Sequence, residues 1–170
     1  MKLLFRQRKF SWFDMYDIYD ENSKSVYIVK GDKSWGHSKR IYQDGKEVAR
    51  LRRQNFLFID RYNMYIDNKY KGYVHKELTL YHPRFYISNY GWKIKGNPFE
   101  SSYSIIDSHN NQIASIKKKQ LNLNDTYVLD ITNDDDILMV LMIVLTIDLE
   151  KDSRESSKMV PHYKKENTEE

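Results

Sequence analysis

Between Asn133 and Asp148 runs Asn-Asp-Asp-Asp-Ile-Leu-Met-Val-Leu-Met-Ile-Val-Leu-Thr-Ile-Asp, the segment that most restricts what this chain can fold into. Counted inclusively from Ile137 to Ile147, it holds eleven residues, all apolar except Thr146. A membrane-crossing helix needs about 20 such residues. This run is too short for that, and acids stand at both ends. Its Leu and Met content favours a helix over a buried strand. Asn133 suits a helix cap, and Asp134 to Asp136 fall in the first turn, where acids complement the helix dipole. A helix that is apolar on every side must be buried on every side. The sequence therefore predicts a core helix over about 134–149, enclosed by the rest of the chain.

The rest of the chain reads as strands. From about Phe13 to Ile131, short runs rich in Tyr, Ile, Val and Phe alternate with polar residues. The pattern predicts strands at Asp14–Tyr19, Ser25–Lys30, Lys39–Tyr42, Glu47–Arg53, Phe56–Ile59, Asn63–Asp67, Tyr70–Lys76, Arg84–Ser88, Trp92–Lys95, Tyr103–Asp107, Gln112–Lys118 and Thr126–Ile131. Asp44-Gly45, Asp67-Asn68 and other Asn- and Gly-rich pairs separate them, residue types that tolerate the positive φ of tight hairpins. Evenly spaced short strands point to a sandwich or barrel. Fourteen Tyr, seven Phe and three Trp supply the bulky core material.

The second half slides onto the first by 65 positions without a gap. Lys30 and Gly31 meet Lys95 and Gly96, Ile41 meets Ile106, Ala49 meets Ala114, and Tyr62 and Ile66 meet Tyr127 and Ile131. Matched Gly, Ala and turn positions over four strands are hard to obtain from alternation alone. The similar segments are about 27–68 and 92–133. Each half is a meander that cannot bury its apolar face by itself. Two halves and the helix make one closed core without exposed strand edges. Ala49 and Ala114 share a face with Leu51 and Ile116, and small inward residues there let the wall approach the helix. The expected domain spans 1–150, followed by a polar tail over 151–170 that can continue the helix where it leaves the core.

Several stretches together resemble the LURP-one-related family: Tyr27-Ile-Val-Lys-Gly-Asp32, Ile41-Tyr-Gln-Asp-Gly-Lys-Glu-Val-Ala49, Trp92-Lys-Ile-Lys-Gly96, Ile113-Ala-Ser-Ile-Lys-Lys118 and Asp125-Thr-Tyr-Val-Leu-Asp-Ile131, followed by the apolar helix. The resemblance covers about Met1 to Asp152. It implies the fold of the tubby C-terminal domain and of the related phospholipid scramblases: a closed antiparallel barrel of about twelve strands around a central hydrophobic helix. It implies little about activity. The fold hosts lipid binding in tubby, and the cysteine-rich acylation segment of the scramblase relatives has no match here.

Chemistry-bearing patterns are sparse. With no Cys, disulfides, thiolate nucleophiles and Cys-ligated zinc are excluded, and a reducing cytosol is the expected compartment. The N-terminal MKLLFRQRKF lacks the apolar core of a secretory signal. His37, His75, His82, His109 and His162 are scattered without metal-ligand spacing. No nucleophile elbow or phosphate loop is present, and nothing shows the pKa of paired carboxylates Asp125/Asp130 being pushed apart. The chain therefore reads as non-catalytic, without cofactor or metal.

The remaining signal is basic. Net charge is +4 with a pI near 9.0. Arg50, Arg52 and Arg53 end one strand, and Lys117, Lys118 and Lys119 end its counterpart. They form two basic patches, or one if the corners converge. Basic patches attract lipid headgroups and nucleic-acid phosphates, whereas at strand edges they deter aggregation. The leading expectation is a binding module for anionic lipid headgroups, cytoplasmic and peripheral to a membrane. The alternative is a protein-interaction module using the tail or a Tyr-rich face. Nucleic acid comes third. A helix-filled barrel has little room inside, so any site is expected on the surface or rim.

Overall fold

Alternating side chains become paired strands in the computed structural model, which describes residues 1–8, 15–31, 38–56, 59–77, 79, 83–100, 102–121 and 124–158. The strands are β1 (Lys2–Arg8), β2 (Met15–Tyr19), β3 (Ser25–Gly31), β4 (Lys39–Gln43), β5 (Lys46–Phe56), β6 (Ile59–Ile66), β7 (Lys69–Glu77), β8 (Arg84–Ile87), β9 (Lys93–Gly96), β10 (Ser102–Ile106), β11 (Gln112–Leu121) and β12 (Asn124–Ile131). A 3-10 turn, Asp134–Asp136, leads into helix α1 (Ile137–Lys158). Every pairing is antiparallel, in the order β8-β7-β6-β5-β4-β3-β2-β1-β12-β11-β10-β9, a nearly closed barrel. Asp14, the loop after Gly31, His37, His82, His162 and tail residues 159–170 lie outside the described residues.

Period-2 alternation sets which side chains enter the barrel. Ala49 and Leu51 of β5, and Ala114 and Ile116 of β11, are buried, while Arg52 and Lys117, the next residue of each strand, are exposed. From Val140 to Leu145 every side chain of α1 is at most 1% exposed, so the helix is the core around which the wall closes. Asn133 caps the helix entry, its side chain accepting from the Asp135 N–H at 3.2 Å. Asp44-Gly45 and Asp67-Asn68 carry positive φ at both positions, the twist that two-residue hairpins need.

Two six-stranded meanders compose the wall: β3 to β8, and β9 to β12 continued by β1 and β2. Their registers coincide. Ala49 faces Ile66 and Arg53 faces Tyr62 across β5 and β6. Ala114 faces Ile131 and Lys118 faces Tyr127 across β11 and β12.

Four expectations need correction. First, Lys2–Arg8 is a strand that the sequence reading left out. Its Leu3 and Phe5 are fully buried, and it pairs with both β2 and β12. Second, Phe56–Ile59 is not a strand of its own. Phe56 ends β5, and Ile59 opens a β6 that runs unbroken to Ile66. Third, the 65-residue frame slips by one at β10. Ile41 pairs with Ala49, but Ile105 rather than Ile106 pairs with Ala114. The segment between β9 and β10 is one residue shorter than its counterpart and the β10–β11 turn one longer, so the gapless frame holds on either side. Fourth, the helix does not stop near 149. It continues to Lys158, because Asp148 and Glu150 are buried rather than terminal.

Candidate functional site

The buried acids show first what the interior does. Asp148 accepts from the hydroxyls of Tyr16 at 3.0 Å and Tyr127 at 3.2 Å. Glu150 accepts from Tyr62 at 2.9 Å and pairs with the Lys76 ammonium at 2.8 Å. Burial raises the Asp148 pKa above the ordinary carboxylate value, opposed by the two tyrosine hydrogen bonds and by Lys39 and Lys151. Every donor is thus aimed at the helix, locking the plug to both halves of the wall. Tyr62 and Tyr127 are counterparts under the 65-residue shift, and each bonds a different helix carboxylate. This polar lock was missed from sequence, although the Tyr62/Tyr127 match was its signal.

The basic corners do not converge. β5 and β11 stand six strands apart in either direction around the barrel. Arg50 pairs with Glu47 at 3.6 Å, donates to Asn68 Oδ1 at 2.9 Å and lies over the Tyr65 ring. Arg53 lies on the inward row and forms an ion pair with Asp60. Lys118 is its half-buried counterpart and is not a free cation either. Arg52, Lys117 and Lys119 remain outward and exposed. Arg52, Arg53 and Lys117 to Lys119 lie toward the end of the wall where α1 leaves the barrel, whereas Arg50 is tied to Asn68 in the β6–β7 turn, nearer the other end.

A concave surface lies elsewhere, where the barrel fails to close. β8 and β9 end the strand order and carry no ladder between them. At the corresponding junction of the other half, β2 and β3 pair from Met15↔Lys30 to Tyr19↔Ser25. Between β8 and β9 lies a groove of about 880 Å³. Phe85, Ile87 and Trp92 form its buried floor, with Ile94 half-buried beside them. Arg84, Tyr86 and Lys93 are exposed along its rim. Near one end the Phe85 ring meets Phe99 edge-on, and Arg154 of the departing helix lies over Phe99.

Close approach of β7 and β8 holds one side of this groove. Gly72, at φ +135°, leaves no room for a side chain, since a Cβ there would lie 2.6 Å from Ser88 Oγ. Ser88 Oγ accepts from the Tyr73 N–H at 2.6 Å, and the Ser88 N–H donates to the Tyr73 carbonyl at 2.9 Å. The turn after β8 is therefore tied to β7, on the side away from β9.

The outer face beside the groove is aromatic. Tyr73, His75 and Tyr86 make a contiguous cluster with ring centroids 5.2–5.9 Å apart, and Arg61 lies 4.7 Å over Tyr73. Tyr70 and Tyr86 are 52% and 45% exposed, unusual for large rings. Desolvation, helped by Arg61, lowers the His75 pKa and favours neutral imidazole. Composition alone did not locate this face, since tyrosines also build strands; the outward parity of Tyr73, His75 and Tyr86 was the available signal.

Among the described residues, no three His, Asp or Glu side chains come together as metal ligands. Among them also, no helix is long and apolar enough to cross a membrane. His109 is exposed in its turn, and the Asp130 side chain points to solvent.

Comparison with known proteins agrees with this architecture. The chain is 28% identical over 151 residues to the protein YxjI of Bacillus subtilis (strain 168), covering 88% of this chain and 93% of that one. The X-ray structure of a protein from Arabidopsis thaliana superposes with a TM-score of 0.57 at 12% identity, over 86% of this chain and 91% of the other, a likeness of fold. Residues 1–148 match the sequence model of the LURP-one-related proteins, and the chain belongs to that family.

Proposed function

We propose that this protein is a non-catalytic binding module whose ligand sits on the outside of the barrel, in the groove between β8 and β9. One contrast carries the reading. The interior is occupied by its own helix, whereas about 880 Å³ of concave, aromatic-floored surface opens at the seam. Ligand sites are typically concave and mostly apolar, with a few polar groups at their edges. Tyr86 and Lys93 are exposed on the rim, so Tyr86→Ala and Lys93→Glu leave the core intact. Any ligand recovered by screening the purified protein against lipid, metabolite and peptide collections is expected to lose at least tenfold in affinity with the double variant. Unchanged affinity for every recovered ligand would refute the groove as the site.

A second reading has its own support. Arg52, Lys117 and Lys119 lie on opposite walls but toward the same end of the barrel, so a flat anionic surface facing that end meets both walls at once. Attraction of this kind contributes about 1 kcal/mol per basic residue near an anionic bilayer. Co-sedimentation with phosphatidylserine vesicles, lost in the Arg52→Ala/Lys117→Ala/Lys119→Ala variant and in high salt, is its expected signature. Equal binding to neutral vesicles would argue against it.

A further inference from the structure

We propose that the outer face of β5 to β8 binds single-stranded RNA, stacking bases on its rings and pairing phosphates with its arginines. This is a second site, beyond the groove. It shares Tyr86 with the rim of the groove and otherwise lies apart from it. Three observations lead to it.

The first is the order of side chains across the sheet. The registers align three outward rows: Arg50 with Tyr65 and Tyr70, Arg52 with Asn63 and Tyr73, and Arg61 with His75 and Tyr86. Each row holds one arginine and at least one ring, and none holds an acid. The acids beside the rows are matched: Glu47 pairs with Arg40 at 3.3 Å and Arg50 at 3.6 Å, and Glu77 faces Arg84 across β7 and β8. Five arginines against two acids leave this patch three positive charges in excess, which complements a phosphate backbone. The second is that the fold does not require these rings. In the matching registers of the other half, the positions of Tyr65, Tyr70, Tyr73, His75 and Tyr86 are held by Asp130, Lys2, Leu4, Arg6 and Asp17. The wall is built there without a ring at any of the five, so strand propensity does not account for them here.

The third is the spacing of the rings. Tyr65 and Tyr70 form one cluster, with centroids 5.6 Å apart, and Tyr73, His75 and Tyr86 form another. A depression of about 330 Å³ joins them, lined by Gln54, Arg61, Asn63, Tyr70 and Tyr73. Along β6 the two outer rows are four residues apart, about 13 Å, so the clusters take different bases of one strand. Unpaired bases stack on aromatic and guanidinium planes, which a duplex keeps covered. In the depression the Asn63 Nδ2 donates to Gln54 Oε1 at 2.9 Å, leaving Gln54 Nε2 as a donor and Asn63 Oδ1 as an acceptor. A ribose 2′-hydroxyl both donates and accepts, so this amide pair favours RNA over DNA.

The test follows fluorescence anisotropy of a labelled RNA strand of about twelve nucleotides, random in sequence, with the whole chain. The single strand is expected to bind at least tenfold more tightly than an RNA duplex of the same length, and at least threefold more tightly than the DNA strand. Tyr70→Ala and Tyr86→Ala are each expected to weaken binding at least fivefold at an unchanged melting temperature, whereas Tyr70→Phe and Tyr86→Phe keep it within twofold. Arg52→Ala is expected to lower the slope of log Kd against log salt by about 0.7, one phosphate contact. Tyr70 does not line the groove, so its variants separate this face from that one. Affinity unmoved by Tyr70→Ala, or equal affinity for the duplex, overturns base stacking. Equal affinity for the DNA strand overturns RNA as the occupant. Absence of binding to any strand overturns the site and leaves the groove reading untouched.

Discussion

Asp148 is a carboxylate inside an apolar core, 7% exposed, and its environment decides its pH behaviour. Burial raises its pKa above 3.8, so from that value upward the folded state retains a proton that the unfolded state has lost. Stability contributed at this site therefore falls as pH rises through the window. Asp148→Asn removes the titration while keeping an acceptor for one tyrosine. Its stability relative to the parent chain, from urea midpoints at a series of pH values from about 4 upward, is expected to rise with pH until the folded-state carboxyl has ionised. A flat difference would mean that Asp148 does not titrate in this range. At this scale the sequence was partly legible. Asn133 as a cap followed from residue type and position alone. Asp148 did not, because an acid after an apolar run ordinarily marks the end of burial, and the hydroxyl that keeps it inside comes from Tyr16, 132 residues away.

Elements were read best where one face is buried. β5 and β11 came out with the correct inward parity because Ala49–Leu51 and Ala114–Ile116 alternate with the polar residues Arg50, Arg52, Ser115 and Lys117. The same parity fixes how much side chain the wall tolerates. Ala114 is fully buried on the row that faces the helix, so Ala114→Leu is expected to destabilise by about 1–3 kcal/mol through overpacking. Chemical denaturation measures this directly, and a neutral result would reveal slack between wall and helix. β1 was missed because its residues Lys2–Arg8 were weighed only as a possible leader, although Leu3 and Phe5 already alternate with Lys2, Leu4 and Arg6. The slip at β10 was not legible. Ile105 and Ile106 are the same residue type, and only the pairing register distinguishes the inward one.

Across the whole molecule, the twelve-stranded wall and its central helix were legible because short alternating strands need a covered face and the all-apolar helix has nowhere else to go. The open seam was not, since nothing in the sequences of the consecutive strands β8 and β9 separates a paired hairpin from an unpaired one. The tyrosine lock spans the same scale and gives an alkaline signature. Burial, with the nearby Glu150 and Asp148 carboxylates, pushes the Tyr62 and Tyr103 hydroxyls well above the ordinary value of 10.0. Above pH 10 the unfolded chain ionises these groups first, so their contribution to stability is lost as pH rises. Absorbance titration of phenolate formation is expected to show late tyrosines that ionise together with loss of near-ultraviolet circular dichroism. Smooth titration of all fourteen in the folded protein would contradict the lock.

The placement of β1 between β2 and β12 governs the order in which the molecule can be made. β1 has one neighbour, β2, close behind it in the chain, but the other, β12, is the last of the described strands to be made. The helix that fills the barrel comes later still. At ordinary rates of elongation this interval is on the order of ten seconds, during which the inward row of the wall has nothing to cover it. Nascent chains that stop short of Ile137 hold a lining without its plug and are natural clients for holding chaperones. Completion of the barrel therefore waits on synthesis of α1.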